Sequence, residues 1–444
     1  MIKKILTRRS FLKTSGGGAL SFPAILTAKA SKRVRLAAVG CGGKGWVDLN
    51  GAARHADLVA YCDVNLSANR KGGYNLVKEK WPKAKGYSDW RIMFEKEAKN
   101  FDAVTVSTPD HMHAPVTMTA LQLGKGTYTQ KPMTRTIQEA RAITEASVKA
   151  GVPTQMGNQH HSGLGYRTLF EMVRGGAIGK VASAHAWSNR PIWPQGIDRP
   201  SGSDPIPAGF DWDKWLGVAP ERPFKLDTYH PFKWRGWFDF GAGALGDMGC
   251  HIIDPVVWIL GLGPAKSVAY EGPKPKPETF PATEVLTYLF AGTEFTSGDE
   301  LAMKWYDGGQ RPAKKGTHLP MDAEIPSQGA MFIGEEGTAL CPHGGMPRLW
   351  PTEKFSKLTR PKVERLDHYK VWLDAFHTGE KPNSHFGYAG PLTETVLMGV
   401  VAARVGTKKE LKWDSTNLHF TNSRKANQFV RPKYRTGWEV EGLG

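Results

Sequence analysis

The 444-residue chain is poor in cysteine, short of acid and without long apolar runs. Its four cysteines (Cys41, Cys62, Cys250, Cys341) are too few and too scattered for a disulfide scaffold, and none forms a CxxC zinc pair. Beyond the first thirty residues no stretch reaches the roughly 18 apolar residues of a membrane span, so stable membrane insertion is not expected. No internal repeat and no low-complexity segment occurs. Apolar residues at 40% and charged residues at 23% exclude a mainly disordered chain, and the length predicts two domains. Acid is the scarce charge: 42 Asp+Glu against 59 Lys+Arg leaves +17, which raises nucleic-acid binding as a function. Six of those cations and no acid fall within residues 1–30, leaving +11 on the rest. That remainder is dispersed, with no basic helix or arm, so a nucleic-acid partner is not expected.

Residues 1–30 open with basic residues and the run Thr7-Arg8-Arg9-Ser10-Phe11-Leu12-Lys13. A Gly/Ala-rich stretch then ends at Ala28-Lys29-Ala30. This is a signal-peptide layout with a small-x-small cleavage site, and the paired arginines resemble a bacterial twin-arginine signal. Export to the periplasm is the expectation.

After this segment, short apolar runs alternate with helix-like stretches. Strands are expected at 34–39, 58–62, 103–107, 127–130 and 153–156, with helices at 114–123 and 137–149. Strand–helix alternation with short loops predicts a parallel sheet over 31–160. From 161 to 444 the texture changes to Trp-, Gly- and Pro-rich sequence. Strands are expected there at 181–187, 267–271, 284–289, 301–305 and 330–333, with helices at 368–377 and 392–405. Strands without regular intervening helices predict a mostly antiparallel sheet.

Immediately after the first strand, Gly40-Cys41-Gly42-Gly43-Lys44-Gly45 reads GxGxxG. The glycines permit a tight turn, close backbone approach to a pyrophosphate, and helix–strand packing. Asp63 closes the second strand about 20 residues on, where its carboxylate would bind the ribose hydroxyls and repel a 2′-phosphate. NAD is therefore expected over NADP.

Thr108-Pro109-Asp110-His111-Met112-His113 follows the third strand, and Gln130-Lys131-Pro132 follows the fourth. Gly246-Asp247-Met248-Gly249-Cys250-His251 lies in the second half. Together with the fingerprint, Phe332–Thr338 and Gly390–Glu394, these resemble the glucose–fructose oxidoreductase/inositol dehydrogenase (Gfo/Idh/MocA) family from about residue 33 onward. The resemblance implies an α/β protein: an N-terminal Rossmann dinucleotide-binding domain and a C-terminal α/β domain with an open, mostly antiparallel sheet. It also implies a Lys–Asp–His catalytic set, carried onto Lys131, Asp247 and His251. Thr108, Pro109, His111, His113, Gln130 and Lys131 itself become cofactor-side residues. The family commonly reads Glu-Lys-Pro where this chain has Gln130, which removes a negative charge beside Lys131.

The chemistry supports those roles. Oxidising a carbinol needs a base for the hydroxyl proton while hydride leaves for a nicotinamide. Asp247 and His251, spaced i,i+4, share a helix face, so the carboxylate can orient the imidazole or bind the same hydroxyl. The Lys131 ammonium can stabilise a developing alkoxide. His111 and His113 form an HxH pair, but no further ligand completes a metal site, so no metal is expected. His160, His161, Arg190, Arg235 and Trp237 are the candidate substrate contacts; indole stacks on sugar C–H faces and the cations suit hydroxyls or an anionic sugar. The expected function is an exported NAD-dependent oxidoreductase acting on a sugar, sugar acid or glycoside, with the nucleotide tightly held and recycled in place. A redox-neutral NAD-dependent glycosidase is the alternative, and a homo-oligomer is expected.

Overall fold

The computed structural model describes residues 33–67 and 72–443, so the expected export signal lies outside the described residues. Six strands form a wholly parallel sheet: β1 (Val34–Val39), β2 (Ala56–Cys62), β3 (Lys85–Tyr87), β4 (Ala103–Val106), β5 (Gly126–Thr129) and β6 (Thr154–Met156). Their order is β3-β2-β1-β4-β5-β6, which reverses direction between β1 and β4. Open sheets of this kind hold ligands outside the carboxyl ends of the strands at that reversal. The short apolar runs make such a sheet because both faces are covered. Leu36 and Ala38 of β1 point into one core with Leu49, Tyr61 and Trp372, and Ala37 and Val39 into another with Phe94, Val104 and Val116.

Nine strands form the second sheet: β7 (Val181–Trp187), β8 (Ser267–Glu271), β9 (Val285–Ala291), β10 (Glu300–Tyr306), β11 (Gly329–Gly334), β12 (Thr338–Pro342), β13 (Arg348–Trp350), β14 (Leu411–Asp414) and β15 (His419–Phe420). The order is β13-β12-β11-β7-β10-β9-β8-β14-β15, and only the β7–β10 pair is parallel. Alternate residues of β9 and β10 are buried against helices Gly243–Ile252 and Phe386–Val405. The expected α/β class, with a parallel and a mostly antiparallel sheet, is what the chain adopts.

Residues 33–443 form one compact unit. Helix His368–Thr378, far along the chain, packs Tyr369, Trp372 and Leu373 onto the parallel sheet. One expectation needs correction: Gly243–Leu260 is long and apolar enough to cross a membrane. It forms two helices, Gly243–Ile252 and Asp254–Leu260, and 89% of the stretch is buried in the protein core. Burial on all sides accounts for its apolar character.

Candidate active site

The GxGxxG loop joins β1 to helix Lys44–Ala53, and its glycines do different work. Gly40 has φ 86°, and a Cβ there would lie 2.5 Å from the Ser107 carbonyl oxygen; at Gly45 it would lie 2.2 Å from the Gly40 carbonyl oxygen. These two make room for protein. Around Gly42 and Gly43 a Cβ would meet nothing within 4 Å, so these two leave room for a ligand. Gly43, the N-cap, offers no side-chain acceptor to the helix start, whose free N–H groups remain available to a phosphate. Asp63 folds back beneath the loop, accepting from the Cys41 N–H at 2.8 Å and the Asn65 N–H at 2.9 Å. Burial pushes its carboxyl up while these backbone bonds oppose the rise. At the end of β2 the carboxylate stands where a ribose hydroxyl would reach it, and a 2′-phosphate would meet its charge. The cradle fits NAD.

The cofactor-side histidines are struts. His113 bridges the Thr108 and Pro132 carbonyl oxygens (2.9 and 2.8 Å), and His111 lies between those of Trp215 and Phe240 (3.0 and 3.3 Å). Both are buried, and burial holds His111 down to about 3 and His113 to about 4, so each neutral ring donates its single N–H to one of its two flanking carbonyls. Their ring nitrogens face protein carbonyls, so the two side chains brace the Thr108-Pro109 loop and the Pro132 turn on the expected cofactor side. The Lys131–Pro132 peptide is cis.

Lys131, at the end of β5, reaches helix Gly243–Ile252. Its ammonium donates to the Asp247 carbonyl oxygen at 2.6 Å and to its Oδ1 at 2.8 Å. Arg235 Nε donates to the same Oδ1 at 3.1 Å, and Arg190 Nε stands 3.9 Å from Oδ2. Three cations thus surround one carboxylate. Burial opposes its ionisation, but Lys131 and Arg235 prevail and hold it down to about 2. Asp247 and His251 share a helix face as expected, yet no hydrogen bond joins them among the described residues: the carboxylate is turned toward the cations. The expectation that Asp247 orients the imidazole is corrected accordingly. His251 Nδ1 is buried and has no hydrogen-bond partner among the described residues. Burial, then Lys131, push this histidine well below the usual imidazole range, so it stands neutral.

Of the expected substrate contacts, His160, Arg190 and Arg235 converge here. The His160 ring centroid is 6.2 Å from that of His251. His161 does not converge: it is buried, with Nδ1 2.9 Å from Asp254 Oδ2 and its ring against Trp258 and Tyr388. Trp237 does not either. It is 1% exposed, donates Nε1–H to the Thr228 carbonyl oxygen at 3.1 Å, and packs on Tyr229. The Trp237 N–H is already satisfied inside the protein, and His161 is fixed by Asp254 through Nδ1.

Sequence reasoning missed three residues. His343, after β12, puts its ring 4.3 Å from His160 and 5.3 Å from His251 and is braced at Nδ1 by the Tyr166 hydroxyl (3.1 Å). Asp110 is buried beside the site and accepts from the Ala242 N–H at 3.0 Å; burial pushes it up to about 7. Asp48 accepts from Gln130. Asp110 lies inside the Thr108–His113 motif and Asp48 one helical turn after Lys44, but neither position announces its partners, and His343 has no motif beside it. Among the described residues no group of three or more His, Cys, Asp or Glu is arranged to hold a metal ion.

A Gly-rich cradle at the sheet reversal, followed by a Lys–Asp–His set, defines a dinucleotide-dependent oxidoreductase. Two family models match: "Oxidoreductase family, NAD-binding Rossmann fold" over residues 34–158 and "Oxidoreductase family, C-terminal alpha/beta domain" over 181–291. Together they span more than half of the chain, which belongs to the Gfo/Idh/MocA oxidoreductase family. Among curated relatives, the D-glucoside 3-dehydrogenase of Escherichia coli is 26% identical over 48% of this chain and 49% of its own. A glycosyl hydrolase family 109 protein of Shewanella baltica is 24% identical over 34% of each. The chain thus spans about a third to a half of the length of the curated relatives it matches. The WlbA dehydrogenase of Bordetella pertussis, solved with NADH and UDP-GlcNAcA, shares the fold with a TM-score of 0.59 at 17% identity, over 86% of this chain and 99% of that one.

Proposed function

We propose that the protein oxidises a carbinol of a sugar, sugar acid or glycoside, with Lys131, Asp247 and His251 as the working set. The observation that carries this is a neutral His251 with an unpartnered buried nitrogen, one helical turn from a Lys131–Asp247 pair. The glycines at 40, 42, 43 and 45, with Lys44 and Asp63, would hold NAD, which when bound supplies the hydride acceptor. His251 takes the hydroxyl proton. Lys131 holds the same oxygen and stabilises negative charge on it as the proton leaves. Asp247 holds Lys131 in place. His160 and the guanidinium groups of Arg190 and Arg235 bind the rest of the sugar, and the surplus of cations over Asp247 favours one bearing an anionic group. The residue 1–30 segment would direct export to the periplasm, where free NAD is scarce and tight retention follows.

A second reading is favoured by the glycosyl hydrolase family 109 relatives: transient oxidation, elimination of the aglycone, addition of water and return of hydride. Incubation with aryl glycosides and no added NAD separates the two. A lasting keto sugar supports the dehydrogenase; aglycone release without net reduced nicotinamide supports the glycosidase; neither product from any sugar or glycoside rejects both.

A further inference from the structure

Asp48 has no solvent exposure, so its carboxylate depends wholly on protein partners. Lys44, in the Gly-rich motif, lies 2.9 Å from Oδ1, and the Tyr369 hydroxyl donates to that oxygen at 2.8 Å. Ser107 Oγ and Gln130 Nε2 each donate to Oδ2 at 2.8 Å. One carboxylate therefore ties the cradle helix to the ends of β4 and β5 and to helix His368–Thr378.

Gln130 is the residue before Lys131 and is held at both ends. Its backbone N–H bonds the Val106 carbonyl at 2.9 Å, and its side chain lies across Gly157, where a Cβ would come within 2.3 Å of Nε2. A carboxylate only accepts, so position 130 must present a donor to Asp48. Glutamate there would set two buried carboxylates in contact, and one would have to take a proton.

We propose that Asp48 is a positioning residue: through its hydrogen bond to Gln130 it locks Lys131 to the NAD cradle. The proposal rests on NAD occupying that cradle. Its test is a swap in the full-length protein: Gln130→Glu, Asp48→Asn, and the two combined. Three readouts are dinucleotide affinity by the fluorescence of NADH, melting temperature, and single-turnover hydride transfer from methyl and nitrophenyl glycosides. Each single substitution is expected to weaken NAD binding by at least about tenfold and to slow hydride transfer, and the double variant to recover at least about tenfold over Gln130→Glu in both. In the double variant the amide introduced on the cradle helix donates to the carboxylate introduced beside Lys131, reversing the bond. Gln130→Met, which removes the donor without adding charge, is expected to fall between wild type and Gln130→Glu. Equal losses in Gln130→Met and Gln130→Glu, or a double variant no better than its worse parent, would overturn the pairing while NAD binding by the wild type stands. A wild type that neither holds nor binds NAD would reject the cofactor reading itself.

Discussion

At the residue scale the site is a charge problem. Asp247 faces Lys131, Arg235 and Arg190, and its low pKa keeps this carboxylate ionised throughout the working range. Lys131→Met should therefore cut hydride transfer by about 10²–10⁴-fold while NAD stays bound, checked by single-turnover kinetics and nucleotide content. Trp237→Phe should do the reverse. Losing the Nε1 bond to Thr228 costs about 1 kcal/mol of stability, read as a lower melting temperature, with KM unmoved. Lys131, Asp247 and His251 are legible in the sequence because each sits in a short ordered motif. His343 and Asp48 are not: they meet their partners across the fold, Asp48 reaching Gln130 and Tyr369 at 82 and 321 residues' separation. Trp237 misleads in the sequence because stacking on a sugar and packing in a core favour the same side chain.

At the element scale the Gly-rich loop divides its labour. Gly42 has ordinary φ and open space, so Gly42→Ala should fold normally yet weaken NAD binding by filling the cradle. Gly45→Ala should lower the melting temperature, since its Cβ would press on the Gly40 carbonyl at 2.2 Å. Paired melting curves and NAD titrations check both. The strands β1, β7 and β8 are readable to the residue because their apolar or alternating patterns lie between clear breaks. The strand β3, Lys-Gly-Tyr, and the short strands β12 to β15 are not, being set by pairing with neighbours rather than by their own pattern.

At the scale of the whole molecule, burial keeps several histidines neutral, and this couples stability to pH. His111, His113 and His368 are held at about 3, 4 and 3, below the ordinary 6.5. Between about 6.5 and 4 the unfolded chain binds more protons than the folded one, so stability rises with pH there and is lost as pH falls. Each ring contributes about 1 kcal/mol per pH unit. The raised carboxyls of Asp110 and Asp307 act in the opposite sense over this range, but the lowered histidines outnumber them, so the melting temperature should drop from pH 7 to pH 5; a melting temperature that rises toward pH 5 would contradict neutral buried rings. The net charge of +17 also reads differently at this scale, since part of the remainder converges on Asp247 as a polar pocket.

In the proposed activity this pocket passes hydride from a sugar carbinol to NAD under the control of His251 and Lys131. The most direct measurement mixes NAD-loaded protein anaerobically with a panel of sugars and glycosides and follows the absorbance of reduced nicotinamide in one turnover. Stoichiometric reduction by the wild type, lost in His251→Ala and Lys131→Met while both still bind NAD, is the predicted result. Unchanged reduction in both variants, or none from any sugar in the wild type, would contradict it.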